Sequence, residues 1–372
     1  MMSSFSLTLY HIYALIIKEL LSTIKDPKSR VILVVPVFVQ GIVFGYTATY
    51  NLEHVPYAVV DEAHSYESTS FLAHLDGTGI FERVATLSSP AQISQALDGH
   101  DAMLVLGIPS DFSRRLHAGE TAPVQVITDG RNPMTSALAA GYVASISARF
   151  NQQRSSQKPL VDIRSRIWYN PNNITRNMFL PSLIPMLALT QVMILAGLSV
   201  ARERENGTFD QLLVTPLTPP EILVGKAVPP ILIGLVQATF MLCLSLFWFK
   251  IQLVGSLAAL YLTIFIFLVS CVGLGLSISA IAKNMQQVMV YCFLLLMPMI
   301  LLSGLATPVR NMPQVLQYLT YINPMRFAID AIRRVYLEGA GLCAVAPDYV
   351  PMLAVAAVTL PLAGWLFRNK LS

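Results

Sequence analysis

The sequence predicts an α-helical integral membrane protein. It has six transmembrane helices, an N-terminal interfacial helix, and an extracytoplasmic α/β domain between spans one and two. Three observations predict this. First, 54% of residues are hydrophobic and only 12% charged, with a mean hydropathy of +0.59; soluble domains carry about 25% charged residues. Second, several apolar runs reach the roughly 20 residues that a helix needs to cross a bilayer. Third, the long stretch Asn51–Asn177 holds no such run and alternates short apolar segments with polar helical patterns. The net charge of +4 is modest, and nothing in it calls for a nucleic-acid partner.

Residues 1–30 read as a cytoplasmic helix lying on the membrane. Phe5, Leu9, Ile12, Leu15, Ile16, Leu20 and Ile24 keep near-helical spacing, while Lys18, Glu19 and Lys25 break any continuous apolar span; this is an interfacial amphipathic pattern. Lys18 and Glu19 also set this run apart from a cleaved signal sequence. Asp26-Pro27 ends the helix, since proline disfavours the α conformation at the residue before it. Span one is 31–50, closing on Tyr46 and Tyr50 at a membrane edge.

Residues 51–177 form the aqueous domain. Tyr57–Val60, Met103–Gly107 and Val124–Thr128 read as strands; Phe71–Leu75, Pro90–Leu97, Asp111–Leu116 and Thr135–Phe150 read as helices. Strands alternating with helices predict a small α/β fold. Trp168 and Tyr169 then bring the chain back at interface depth.

Residues 178–372 carry the remaining five spans: about Met178–Val200, Ala227–Phe249, Val254–Ile281, Val288–Leu305 and Val350–Phe367. The polar hairpin Ala201–Lys226 joins spans two and three. Thr208 and Gln211 have capping-box spacing, which starts a short helix at Phe209; Pro216 stops it. Thr218-Pro219-Pro220-Glu221 is a second start signal, with a Thr cap, proline in the first turn and Glu three residues on. The short helix, 208–215, gathers Phe209, Leu212 and Leu213 on one face. Spacing alone leaves two uses for that face, and favours packing on the ends of its own spans over plugging into a partner protein. Between spans five and six, 306–349 is cut by Pro308, Pro313 and Pro324 into short helices on the outer surface. Lys18, Lys25, Lys28, Arg30, Arg202, Arg204, Lys226, Lys283, Arg368 and Lys370 fall on one side and outnumber the basic residues of the opposite short loops. The positive-inside rule then puts both termini in the cytoplasm.

Several chemistries are missing from the sequence. No ionisable residue is expected deep inside a span, which argues against a proton-driven antiporter. Gln191 and Gln237 read as interhelical hydrogen-bonding groups, and Gly273 and Gly275 as points of close helix approach. Gly225-Lys226 lacks the remainder of a phosphate-binding loop. The histidines show no metal-ligand spacing and read as solvated; His64 beside Asp61 and Glu62 is at most a weak metal site. Three of the four cysteines lie in apolar runs, so no disulfide framework is available. No catalytic, cofactor or metal site is predicted.

The run Arg202-Glu203-Arg204-Glu205-Asn206-Gly207-Thr208-Phe209-Asp210-Gln211-Leu212-Leu213-Val214-Thr215-Pro216 resembles the hairpin of ABC-2 type permeases, the membrane subunits of bacterial ABC exporters, and is similar to the multidrug-efflux type. The resemblance continues in order through the Lys18-Glu19 to Asp26-Pro27 segment, Trp168-Tyr169-Asn170-Pro171, Gly225-Lys226, Leu302-Ser303-Gly304, Asn311-Met312-Pro313 and Asn323-Pro324, and it covers nearly the whole chain. It implies a coupling helix at Thr208–Val214 that docks into a separate ATPase subunit through Phe209, Leu212 and Leu213, the reverse of the order that spacing favours. It implies that Arg202, Glu203, Arg204 and Glu205 line a cytoplasmic entrance, and that Asn323 and Pro324 belong to an outer gate. It also implies a dimer with a second copy or a paralogous permease, ATP bound by the partner alone, a periplasmic adaptor as a further partner, and residence in the bacterial inner membrane. The chain itself is then no enzyme and exports amphipathic compounds. The alternatives are an ion-gradient-driven secondary transporter and a membrane-anchored ligand sensor.

Overall fold

A computed structural model of the chain describes residues 4–25, 27–47, 54–99, 101–129, 133–154, 175–205, 207–208, 217–305 and 307–371. The chain divides into a helical unit, 1–48 with 167–372, and a second unit, 49–166.

The helical unit begins with α1 (Ser4–Lys25) and α2 (Pro27–Thr47); Asp26, where the sequence predicts a break, lies outside the described residues. It continues with α7 (Thr175–Glu205), α8 (Pro219–Cys243, prolonged by a π turn over Leu244–Trp248), α9 (Leu257–Ile281) and α10 (Met285–Leu301). Short α11 (Gln314–Leu319) and α12 (Pro324–Arg333) precede α13 (Leu342–Leu371).

Among the described residues, five helices are long and apolar enough to cross a membrane: Leu7–Lys25, Thr175–Glu205, Pro219–Trp248, Leu257–Ile281 and Leu342–Arg368. Val34–Tyr46 and Met285–Leu301 are apolar but shorter. The expected six spans and these five are therefore not the same set. The N-terminal helix qualifies by length and composition, whereas the expected spans one and five are the two shorter helices. The last helix also starts earlier than the sequence predicts, at Leu342, and takes in the end of the predicted outer segment 306–349.

Two of the helix contacts are set by glycine. A Cβ on Gly275 would lie 2.8 Å from the Ala196 side chain and 3.0 Å from the Met193 carbonyl, and one on Gly273 would meet the Thr359 hydroxyl at 2.2 Å. Small residues thus let α9 seat closely against α7 on one side and α13 on the other, as the sequence predicts. Asn323 Oδ1 accepts the Met325 N–H (3.1 Å) as N-cap of α12, with Pro324 in its first turn. Asn323 Nδ2 donates to the Met299 carbonyl near the end of α10 (2.7 Å). The predicted outer-gate pair is thus a buried splice between α10 and α12.

The second unit holds a four-stranded sheet in the order β2-β1-β3-β4, from β1 (Val55–Asp61), β2 (Phe81–Leu87), β3 (Leu104–Ile108) and β4 (Gln125–Thr128). β2 and β3 both pair parallel to β1, and β4 is antiparallel to β3. Alternation with period two divides the strands between two cores. Val55, Tyr57, Val59, Leu104, Leu106 and Ile108 pack with residues of α3 (Tyr66–Asp76), α5 (Phe112–Ala118) and α6 (Pro133–Arg154). Ala58, Val60 and Val105 face the other way, with Ile93 and Leu97 of α4 (Ile93–Asp98). Tyr57 ties three elements together: its hydroxyl donates to Asp76 of α3 and accepts from Arg83 Nε of β2 (3.0 Å). Burial, with the Asp76 contact, pushes its phenol up to about 12. β2 is the one strand that the apolar pattern does not reveal. Glu82, Arg83 and Val84 are all exposed, as befits a polar edge.

Candidate functional site

The polar hairpin is shorter than the sequence suggests. Ala201–Glu205 are good helix formers with no breaker among them, and they extend α7 by more than a turn. Gly207, at φ 68°, donates to the Arg204 carbonyl (3.2 Å), and the Thr208 N–H donates to the Glu203 carbonyl (2.9 Å). This pair of bonds is a Schellman C-cap, which requires a left-handed residue at the position glycine holds. The Thr208 hydroxyl also turns back to the Glu203 carbonyl (3.3 Å). On the far side, Thr218 and Glu221 form the predicted capping box of α8, with the Thr218 N–H donating to Glu221 Oε2 (2.6 Å). Phe209, Gln211, Leu212 and Leu213 lie outside the described residues, as do Trp168 and Tyr169.

The helix ends that carry this connection meet in a buried cluster of charge. Lys226, expected as a loop cation, sits in the second turn of α8 with its side chain 1% exposed. Its ammonium lies 2.8 Å from Glu19 Oε1 of α1, 2.9 Å from Glu203 Oε2 of α7 and 3.2 Å from Ser199 Oγ. An ammonium has three hydrogens to donate; here they go to Glu19 Oε1, Ser199 Oγ and the Ser199 carbonyl (3.5 Å), while Glu203 Oε2 is paired by charge without accepting a hydrogen bond. Lys18 of α1 then approaches the other Glu203 oxygen at 2.6 Å. Two cations and two carboxylates thus neutralise one another where a lone charge would be costly to bury. The sequence puts Lys226 in the loop directly before span three; the lysine instead lies near the start of α8. A fully partnered lysine sits inside a helix that is long and apolar enough to cross.

The same face of α1 continues along α8. His11, Leu15, Lys18 and Glu19 follow helical spacing and oppose Glu221, Ile222, Gly225 and Lys226. His11 Nδ1 lies 3.5 Å from Glu221 Oε1, and Leu15 is buried with Ile222. Gly225 allows the approach: a Cβ there would lie 2.4 Å from Leu15 Cδ2 and 3.0 Å from Leu15 Cβ. The last turn of α7 reaches further still. Arg204 Nη1 donates to the Ala282 carbonyl at the C-terminus of α9 (2.8 Å), and Glu205 Oε2 accepts from the Met285 N–H that opens α10 (3.3 Å). Each charge faces the helix pole of opposite sign. The ARERE turn therefore ties α7 to four helices.

The structure thus brings together Lys18, Glu19, Glu203, Arg204 and Glu205 of the predicted set. Asn323 and Pro324 stand elsewhere, at the α10–α12 splice. Residue patterns alone missed Lys226, Ser199, His11 and Leu15. The available signal was the polar stripe on an apolar N-terminal helix, together with a lysine inside an apolar run.

These features define a multi-pass helical membrane protein whose polar helix ends converge on one short connection. The ABC-2 family transporter protein model matches residues 28–365, and the chain belongs to that family. It is 40% identical over 364 residues to "Probable multidrug ABC transporter permease YbhR" of Escherichia coli (strain K12), covering 97% of this chain and 99% of that protein. It is 32% identical over 347 residues to "Probable multidrug ABC transporter permease YbhS" of the same organism, covering 91% of each. It is 27% identical over 374 residues to "Inner membrane transport permease YhhJ", covering 98% of each. The chain is therefore the membrane subunit of an ABC transporter, a transport permease of a family that is normally non-catalytic, and membership implies an ABC ATPase as partner.

Proposed function

We propose that this chain is the permease subunit of an ATP-driven exporter of amphipathic compounds in the bacterial inner membrane, working as a dimer with a second copy or a paralogous permease. Both termini and the 206–217 connection face the cytoplasm, α1 lies at that interface, and the α/β unit lies outside, where an adaptor can meet it. ATP is bound and hydrolysed only in the partner. The connection docks into the ATPase through Phe209, Leu212 and Leu213, with Thr208 and Gln211 setting the start of the docking helix. Arg202 and its neighbours border the cytoplasmic entrance, and Asn323-Pro324 belongs to the outer gate.

The observation that carries this reading is the charge cluster itself. The two ends of the connection enter α7 and α8, and Glu203, Lys226, Lys18 and Glu19 lock those helices to α1 immediately behind it. A push on the connection is then shared by three helices. The cluster also weighs against ion-gradient driving. Its two cations balance its two carboxylates, so it carries no net charge for a transported ion to neutralise. The experiment is co-purification of the permease with its ATPase. Phe209→Asp with Leu213→Asp should abolish the complex while leaving the permease folded; an intact complex would rule out this docking face.

A further inference from the structure

The α/β unit contains a cleft that the transport reading does not use. In the sheet order β2-β1-β3-β4, the chain leaves β1 toward β2 on one side and then crosses back to β3 on the other. α3 packs on one face of the sheet and α4 on the opposite face. The crossovers therefore diverge between the carboxyl ends of β1 and β3, the place where open α/β sheets leave a crevice for ligands. A cavity of about 450 Å³ lies there, within the range of small-molecule sites.

Its walls are apolar and stiff. Val60, Ile93, Ile108 and Val124 contribute aliphatic surface, and Pro90, Pro109 and Pro123 border it with fixed φ. Gly107 adds no side chain to the floor between β1 and β4, and a Cβ there would touch the Gln125 side chain at 3.4 Å. The polar side chains are Glu62 and Gln125. Asp61, next to Glu62, is already spent: it accepts from the N–H groups of Ala63 and His64 (3.0 and 3.2 Å) and from the Ser68 hydroxyl (2.7 Å). The Glu62 N–H is anchored on the Ile108 carbonyl (2.9 Å), while its carboxylate forms no ion pair among the described residues. One unspent anion at the mouth of an apolar, proline-walled cleft calls for one cation on an apolar body.

We propose that this cleft is a binding site for small lipophilic cations, with the apolar body between Ile93 and Val124 and the positive charge at Glu62. The site stands apart from the transport reading, because its occupancy is measured on the permease alone, without ATPase or nucleotide.

The test is hydrogen–deuterium exchange on the full-length protein in detergent, with tetraphenylphosphonium as ligand and tetraphenylborate as its anion of matching shape. Phosphonium should slow exchange in segments 61–65, 107–112 and 121–126, and borate should slow it much less. Glu62→Gln, a change at an exposed side chain, should raise the half-saturating phosphonium concentration about tenfold, as loss of a charge-assisted contact would. Ile93→Trp should fill the cleft and remove the effect there. Exchange in these segments that is indifferent to phosphonium, or a response equal for both ions and unaltered by Glu62→Gln, would overturn the proposal.

Discussion

Glu203 and Lys226 lie 2.9 Å apart, joining the last turn of α7 to the second turn of α8 across the connection between them. The lysine is sealed from solvent and the carboxylate nearly so. Breaking a buried pair from one side costs far more than replacing both partners. Lys226→Met should therefore destabilise the permease by about 3–5 kcal/mol. Adding Glu203→Gln, which rebalances the cluster to one cation and one anion, should recover about 1–3 kcal/mol of that loss. Thermal unfolding in a fixed detergent measures both. Additive losses would mean that the two residues do not interact.

Gly225 predicts a steric outcome. Gly225→Ala places a methyl group against Leu15 down to its Cβ, so rotation of the leucine alone cannot clear it. The helices should separate at a cost of about 1–3 kcal/mol, with Leu15→Ala in the same chain restoring most of it. Cysteine cross-linking between α1 and α8 reports the separation directly. An unchanged cross-linking yield would contradict the seam.

Asn323 makes two buried bonds, one capping α12 and one reaching the Met299 carbonyl. Asn323→Ala should cost about 2 kcal/mol, at the upper end for a cap because a buried acceptor also loses its partner. Asn323→Asp keeps the cap and loses the donor, so it should fall between Asn323→Ala and the native protein. Equal stability of all three would place the splice elsewhere.

His74 gives the α/β unit a pH dependence. Its Nδ1 meets the Ser70 carbonyl and its Nε2 meets Gln153 Oε1, both at 2.8 Å. Two acceptors favour the ring with both nitrogens protonated, and the backbone bond to Ser70, followed by the Gln153 bond, raises the pKa. A raised folded-state value stabilises fully below the unfolded value of about 6.5 and is lost as pH rises through the folded one. Amide protection in α3 and α6, corrected for intrinsic rates, should thus be greater near pH 6 than near pH 8. His74→Gln should flatten the difference; a native profile already flat would contradict the assignment.

How far these features were legible depended on how local their causes are. The Thr218–Glu221 capping box and the glycine contacts of α9 each follow from a few adjacent residues, and each is legible in the sequence. β2 is not, because an edge strand covered on one side carries little apolar pattern. Nor is the burial of Lys226, which depends on carboxylates 23 and 207 positions away in the chain. The helix at Ala201–Glu205 differs from the predicted loop for a related reason. Charge suggested solvent, whereas helix propensity and the Gly207 cap decided the backbone.

The central claim is that the charge cluster passes motion between the connection and the spans. The most direct measurement is cargo-stimulated ATP hydrolysis by the reconstituted complex carrying Lys226→Met with Glu203→Gln, the pair expected to keep the fold. The account predicts that this complex assembles and hydrolyses ATP at its basal rate but no longer responds to cargo. Stimulation at the native level would show that the cluster holds the helices together without coupling them to the ATPase.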